Sequence, residues 1–268
     1  MANFSRRRFL EDSMLAAAAA AAASACGNIL AADADQDRQN KSAGERLSVA
    51  IVGVNGRGTE HIGAYTKRDD TEITYIVDPD ERVGEKRAEE IGKKQGRKPK
   101  FVKDLRKMLE DHSVDIVTTA TPNHWHALVS IWSMQAGKDV YVEKPVSHNV
   151  SEGRRIVETA RKYGRMCQTG TQSRSHQGMR DMIEAVRSGK IGEVKLARGL
   201  CYKPRGSIGP KGNYEIPSHI DYDLWCGPAA QKPLERKNLH YDWHWTWEYG
   251  NGDLGNQGIH HMDVARWG

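Results

Sequence analysis

The sequence predicts an α/β fold, a doubly wound parallel sheet flanked by helices, on three observations. Short, almost unbroken apolar runs alternate with stretches of helical periodicity. A glycine-rich turn follows the first run at once, and an aspartate closes the second. An apolar run without polar alternation is the mark of a strand buried on both faces of a parallel sheet. Strands that alternate with helices in this way wind right-handed.

In chain order, residues 47–53 (LSVAIVG) make the first strand, followed by Gly53-Val54-Asn55-Gly56-Arg57-Gly58 and a helix to about residue 67. A second strand at 72–77 ends at Asp78 and precedes a helix at 81–94. Lys93, Lys94, Arg97, Lys98 and Lys100 gather where that helix ends. Cations suit a helix C-terminus, so this basic run is read as a solvated surface. A helix at 105–111, a strand at 114–120, the helix Asn123–Gln135 and the strand Asp139–Val142 complete a unit assigned to residues 46–170.

The glycine turn has a physical task. A tight strand-to-helix turn lets backbone N–H groups and a helix N-terminus approach a pyrophosphate. Gly53 and Gly58 hold the first and third glycine positions of a GxGxxG pattern, Asn55 replaces the second, and Gly56 follows. Asparagine tolerates left-handed backbone, so Asn55 is expected to preserve the turn. Gly53, Asn55, Gly56, Arg57 and Gly58 are therefore candidate contacts to a dinucleotide in a Rossmann-type fold. Asp78 lies 25 residues beyond Gly53, where a carboxylate accepts hydrogen bonds from the adenosine ribose and repels a 2′-phosphate, which favours NAD over NADP. The competing reading makes Asp78 the cap of the next helix, with Pro79 at its first position.

Composition sets the outer bounds. The 268 residues include 38% hydrophobic and 28% charged side chains, enough apolar material for a core. Forty Lys and Arg against 35 Asp and Glu make no concentrated basic face for nucleic acid. Four cysteines without a CxxC pair exclude a disulfide scaffold. The N-terminus reads as an address. Ser5-Arg6-Arg7-Arg8-Phe9-Leu10 precedes a mild apolar run at 14–27, shorter than the roughly 20 residues of a membrane span. It resembles a twin-arginine signal, so residues 1–34 are assigned to a signal peptide and 35–45 to a linker, with periplasmic or other export and no stable membrane anchor. Ala32-Asp33-Ala34 has the A-x-A form of a cleavage site, whereas Ala23-Ser24-Ala25-Cys26 is a poor lipobox. Three cysteines, Cys167, Cys201 and Cys226, remain after cleavage, so at least one is expected to stay unpaired.

Further segments make a family resemblance specific. Ala120-Thr121-Pro122-Asn123-His124-Trp125-His126 opens a helix directly after a strand, and Tyr141-Val142-Glu143-Lys144-Pro145 ends the next. With the glycine turn, with Ser188-Gly189-Lys190-Ile191-Gly192-Glu193-Val194, and with 221–229 (DYDLWCGPA) and 250–267 (GNGDLGNQGIHHMDVARW), they resemble the Gfo/Idh/MocA oxidoreductases. The resemblance implies that Lys144 is catalytic, beside the nicotinamide and the substrate hydroxyl. Glu143, Thr121, Pro122 and Asn123 would line the nicotinamide ribose, with His126 near the same end. A lysine at the carboxyl end of a strand suits the chemistry, because a partly desolvated ammonium can hold a developing alkoxide and relay its proton. A cis Lys144–Pro145 bond is expected. For His124 and Trp125, helix packing is preferred to ligand contact.

The family pattern Asp-x-x-x-His aligns with Asn256 and His260. His260 is then a second catalytic candidate, as acid/base or hydrogen-bonding group, and Arg174, Asn256 and His260 are assigned to substrate binding. His261 and Asp263 are flanking candidates of lower rank. His240, Asp242 and His244 near His260 fit no metal spacing, and no metal is expected. Their interleaved Tyr241, Trp243, Trp245 and Trp247 read instead as an aromatic wall suited to carbohydrate.

By the same resemblance, residues 171–268 are a substrate and oligomerisation domain, an α+β unit with a mainly antiparallel sheet. One strand is expected at 193–202, and the chain reads as incomplete at its C-terminal end. The leading expectation is an exported oxidoreductase transferring hydride between a sugar, cyclitol or sugar derivative and a tightly bound NAD. The full protein would pair as a homo-oligomer and use the twin-arginine export machinery. Two alternatives stand beside it: an NAD-using glycosidase of the α-N-acetylgalactosaminidase kind, working by oxidation and elimination, and a sugar- or nucleotide-binding protein without turnover.

Overall fold

A computed structural model describes residues 46–268; the expected signal peptide and linker lie outside the described residues. Six strands form one sheet: β1 (Leu47–Val52), β2 (Thr71–Val77), β3 (Lys100–Val102), β4 (Ile116–Thr119), β5 (Asp139–Val142) and β6 (Cys167–Thr169). Their order is β3-β2-β1-β4-β5-β6, and every pairing is parallel. The direction of winding reverses between β1 and β4, and the crevice beyond the strand ends at such a point is where ligands of open α/β sheets bind.

Alternation along β1 explains its apolar run. Val49 and Ile51 face a cluster with Ile62 of α1 (Gly58–Tyr65) and with Ala88 and Ile91 of α2 (Glu81–Gln95). Ala50 and Val52 face the opposite cluster, with Leu105 and Met108 of α3 (Leu105–Leu109) and Val129 of α4 (Asn123–Gln135). Both faces are covered, so no polar residue is required. The register with β2 skips Thr74: Val49 sits opposite Ile73 and Ala50 opposite Tyr75. This bulge lets Ile73 and Ile76 serve one cluster while Tyr75 and Val77 serve the other.

α5 (Val150–Tyr163) and β6 were not foreseen, although α5 carries a readable start. The Asn149 side chain accepts from the Glu152 N–H at 3.0 Å, and the Glu152 carboxylate accepts from the His148 N–H at 2.8 Å. This is a reciprocal cap of the kind that opens helices. The expected strand at 193–202 does not form. That segment pairs with no neighbouring strand and leaves Leu196 and Tyr202 exposed, and a strand without a ladder partner satisfies none of its backbone groups within the fold.

After β6 the described residues contain α6 (Gln177–Arg187), α7 (Tyr222–Cys226) and α8 (Ile259–Trp267), and two isolated antiparallel bridges, Asp80–Ile220 and Tyr214–Leu234. A hydrophobic cluster of Tyr222, Trp225, Leu239 and Tyr249 gives this part its own core. It docks on the sheet unit by backbone bonds at 2.9 Å from Glu81 N–H to the His219 carbonyl and from Asp221 N–H to that of Pro79. No helix among the described residues is long and apolar enough to cross a membrane.

Candidate functional site

The glycine turn is fixed by backbone contact. Gly53 has φ +78°, and a Cβ there would stand 2.8 Å from the Thr121 nitrogen; one on Gly58 would collide with the Gly53 carbonyl. Two close approaches therefore demand glycine. The remaining left-handed residue is Gly56, at φ +53° with open space beside it. Asn55 is not left-handed, contrary to expectation; the turn places its strained position one residue later, where glycine bears it at no steric cost.

Gly53, Asn55, Gly56 and Arg57 line a cavity of about 290 Å³ together with Asp78, Thr121, Pro122 and Trp125. Asp78 is buried at the end of β2, its carboxylate accepting from Val54 N–H at 2.9 Å and Asp80 N–H at 3.0 Å. Burial pushes its pKa up against the pull of those two amides. The cap of α2 is Asp80, whose side chain accepts from Val83 N–H, so Asp78 is not spent on capping. Asp80 also meets His240 at 2.9 Å.

A second cavity of about 220 Å³ adjoins the first and shares with it Arg57, Ala120, Thr121, Trp243 and His244. Glu143, Lys144, Asn123, His126 and Asn256 lie here. Glu143 is the buried centre of a hydrogen-bonded chain. Its Oε1 meets Arg57 Nε at 2.7 Å and His61 Nε2 at 3.3 Å, and His61 Nδ1 meets the Thr118 hydroxyl at 2.6 Å. Burial would raise the Glu143 carboxyl, yet the bonds from His61 and Arg57 and the Arg57 charge bring it to about 2. His61 belongs to no local motif, and only the fold brings it beside a residue 82 positions away.

The Lys144–Pro145 bond is cis. Lys144 Nζ donates to the Asn256 carbonyl at 2.7 Å and lies 3.5 Å from its side-chain oxygen. Asn256 sits in a wide turn, Leu254–Gly258, whose Gly255 lies so near Pro145 that a Cβ would stand 3.3 Å from the proline ring. Burial lowers the Lys144 pKa; the neighbouring Glu143 charge opposes this and Arg57 adds to it. His126 is buried, with ring nitrogens 2.6 Å from the Pro145 carbonyl and 2.9 Å from that of Thr121, so it braces both turns. Asn123 Nδ2 donates to Asn251 at 2.9 Å.

Three expected substrate residues part company. Asn256 reaches Lys144. His260 instead lines a third, wider cavity beside Gln172 and Ser173, although burial and the nearby Lys144 charge both lower its pKa. Arg174 is not in the cleft: Asp263 binds its guanidinium at 2.7 and 2.8 Å, and Trp267 lies beneath it. A guanidinium so paired and stacked is turned toward α8. His124 packs, as expected, with burial pulling it down to about 4, while Trp125 both packs and lines the first cavity. Among the described residues no group of three His, Cys, Asp or Glu is placed to hold a metal ion.

Two family models match: the Gfo/Idh/MocA NAD-binding Rossmann fold over residues 47–171 and the C-terminal alpha/beta domain of that oxidoreductase family over 207–267. The chain belongs to the Gfo/Idh/MocA oxidoreductase family. It is 30% identical over 210 residues to the alpha-N-acetylgalactosaminidase of Shewanella oneidensis, covering 72% of this chain and 45% of that protein. A glycosyl hydrolase family 109 protein of Shewanella baltica matches at 30% over 206 residues, with the same two shares of 72% and 45%. The chain thus spans less than half the length of these relatives. Among solved structures it is similar in fold to the WlbA dehydrogenase of Chromobacterium violaceum in complex with NADH and UDP-GlcNAcA (TM-score 0.60, 22% identity, 84% of this chain and 56% of that one). It is likewise similar to GenD2 from gentamicin A biosynthesis in complex with NAD (TM-score 0.59, 21% identity, 85% and 54%).

Proposed function

We propose that the protein is an oxidoreductase that binds NAD along the first cavity, with the nicotinamide reaching into the second, and there oxidises or reduces a CH–OH carbon of a sugar, cyclitol or sugar derivative. The observation that carries this reading is the shared wall of the two cavities, which joins the glycine turn and Asp78 to Lys144. The residues suit such a nucleotide: the turn is bare of side chains at Gly53, Gly56 and Gly58, and Asp78 faces the same space. A bound nicotinamide supplies the hydride acceptor or donor. Lys144, held by the Asn256 carbonyl, is positioned to stabilise negative charge growing on the substrate oxygen.

Denaturing the purified full-length protein and identifying any released nucleotide tests the reading, followed by sugar-dependent formation of reduced nucleotide. Release or tight binding of NAD with sugar turnover is expected. No nucleotide released, and none bound on titration, would remove it. A second reading is favoured by the Shewanella oneidensis relative, named an alpha-N-acetylgalactosaminidase: transient oxidation acidifies a neighbouring C–H, elimination breaks the glycosidic bond, and hydride returns. Cleavage of an aryl glycoside without net reduced nucleotide would select it over the dehydrogenase.

A further inference from the structure

We infer that His244 is the proton acceptor for the substrate hydroxyl, an inference that rests on the oxidoreductase reading. Its Nδ1 lies 2.6 Å from the Tyr241 carbonyl. A carbonyl only accepts, so Nδ1 carries the hydrogen and Nε2 of the neutral ring carries the lone pair. Nε2 has no protein hydrogen-bond partner among the described residues. The ring is held in plane by Trp243, stacked at 3.6 Å and 19°, and is flanked by Tyr241 and Trp245 at 5.1 and 5.3 Å. A base with a fixed tautomer and a fixed plane is preorganised for one direction of proton transfer.

Position singles it out. His244 is among the few side chains that line both cavities. Of the others, Arg57 is a cation bound to Glu143, Thr121 offers a weakly basic hydroxyl, and Trp243 has no basic atom. Elsewhere, both His126 nitrogens face carbonyls, His240 is turned to Asp80, and His260 lines the third cavity. Lys144 arrives as a cation donating to a carbonyl, suited to holding negative charge rather than to receiving a proton. Charge favours the same division. Burial lowers the His244 pKa; the Tyr241 carbonyl opposes this, Lys144 and Arg205 reinforce it, and Asp253 opposes it in turn. The ring therefore stands neutral and able to accept at neutral pH, with Glu143 the carboxylate across the second cavity.

In the oxidation direction the substrate O–H bond breaks and its proton joins His244 Nε2. The freed electron pair closes the C=O bond as the carbon's hydrogen leaves as hydride to the oxidised nicotinamide nucleotide. The imidazolium then returns its proton to water. The sequence marks this residue only as one polar member of an aromatic segment.

Two measurements on the full-length protein test this. Nitrogen-15 correlation spectra of the histidine side chains, with His244 assigned by its loss in His244→Asn, are expected to show a neutral ring protonated at Nδ1. Asparagine keeps a donor near Nδ1, and His244→Gln keeps bulk. In both variants kcat is expected to fall about 100-fold or more and the acid limb of the pH profile to disappear, while NAD affinity falls by about tenfold at most. An Nε2-protonated ring, or unchanged kcat and acid limb in both variants, overturns the assignment. Failure of the wild type to bind any nicotinamide nucleotide overturns the oxidoreductase reading instead, and the spectra still judge the ring.

Discussion

At the glycine-turn end of the cleft the cavity is walled by one short backbone turn, with Asp78 and Asp104 beside it. At the Lys144 end the groups are side chains drawn from the turns before α1 and after β5, the start of α4 and the turns before α8. The first end is made by chain geometry, through φ values and close backbone approaches at Gly53 and Gly58. The second is made by long-range hydrogen bonds, such as Lys144 to Asn256 and Arg57 to Glu143. A site built on backbone tolerates many side-chain changes but no change of conformation. A site built on side chains fails one group at a time.

That contrast predicts separable losses. Lys144→Met should lower kcat about 1000-fold while calorimetry finds NAD affinity nearly unchanged; a parallel loss of binding would break the division between the two ends. Gly53→Ala should do the reverse, weakening NAD binding about 100-fold, or roughly 2.7 kcal/mol, because both its φ of +78° and the Thr121 backbone exclude a Cβ. Retained affinity would show that the turn does not hold the nucleotide. Asp78→Ser should shift the NAD to NADP affinity ratio about tenfold toward NADP, since it removes the carboxylate that would face a 2′-phosphate; an unmoved ratio places the ribose elsewhere.

The smallest effect concerns Glu143. Its folded value of about 2 lies below the ordinary 4.5, so the stability it contributes is fully present above that ordinary value and is lost as pH falls toward about 2. Glu143→Gln should therefore lower Tm at neutral pH by about 3 °C or more, and the gap to wild type should close in acid. A gap that is constant with pH would mean that the His61 and Arg57 bonds do not act through the carboxylate charge.

The same contrast explains what could be read in advance. The sheet unit was legible because β1, β2, β4 and β5 carry apolar runs and because the glycine turn and Asp78 act within their own segments. β3 and β6 span three residues each, too short to show a pattern, and α5 was missed although Asn149 and Glu152 spell its cap. The Lys144–Asn256 bond joins positions 112 residues apart, and the His61–Glu143 bond joins positions 82 apart. No local rule reaches such distances. Arg174 went astray for a related reason: the residue that claims its charge, Asp263, lies 89 positions away.

The account stands on one continuous cleft running from the glycine turn to the lysine amine. A crystal structure of the full-length protein grown with saturating NAD tests it most directly. The account predicts a pyrophosphate lying along Gly53–Gly58 and a nicotinamide ring in the second cavity between Lys144 and His244. A nicotinamide ring outside that cavity, or a nucleotide bound away from the glycine turn, would contradict it.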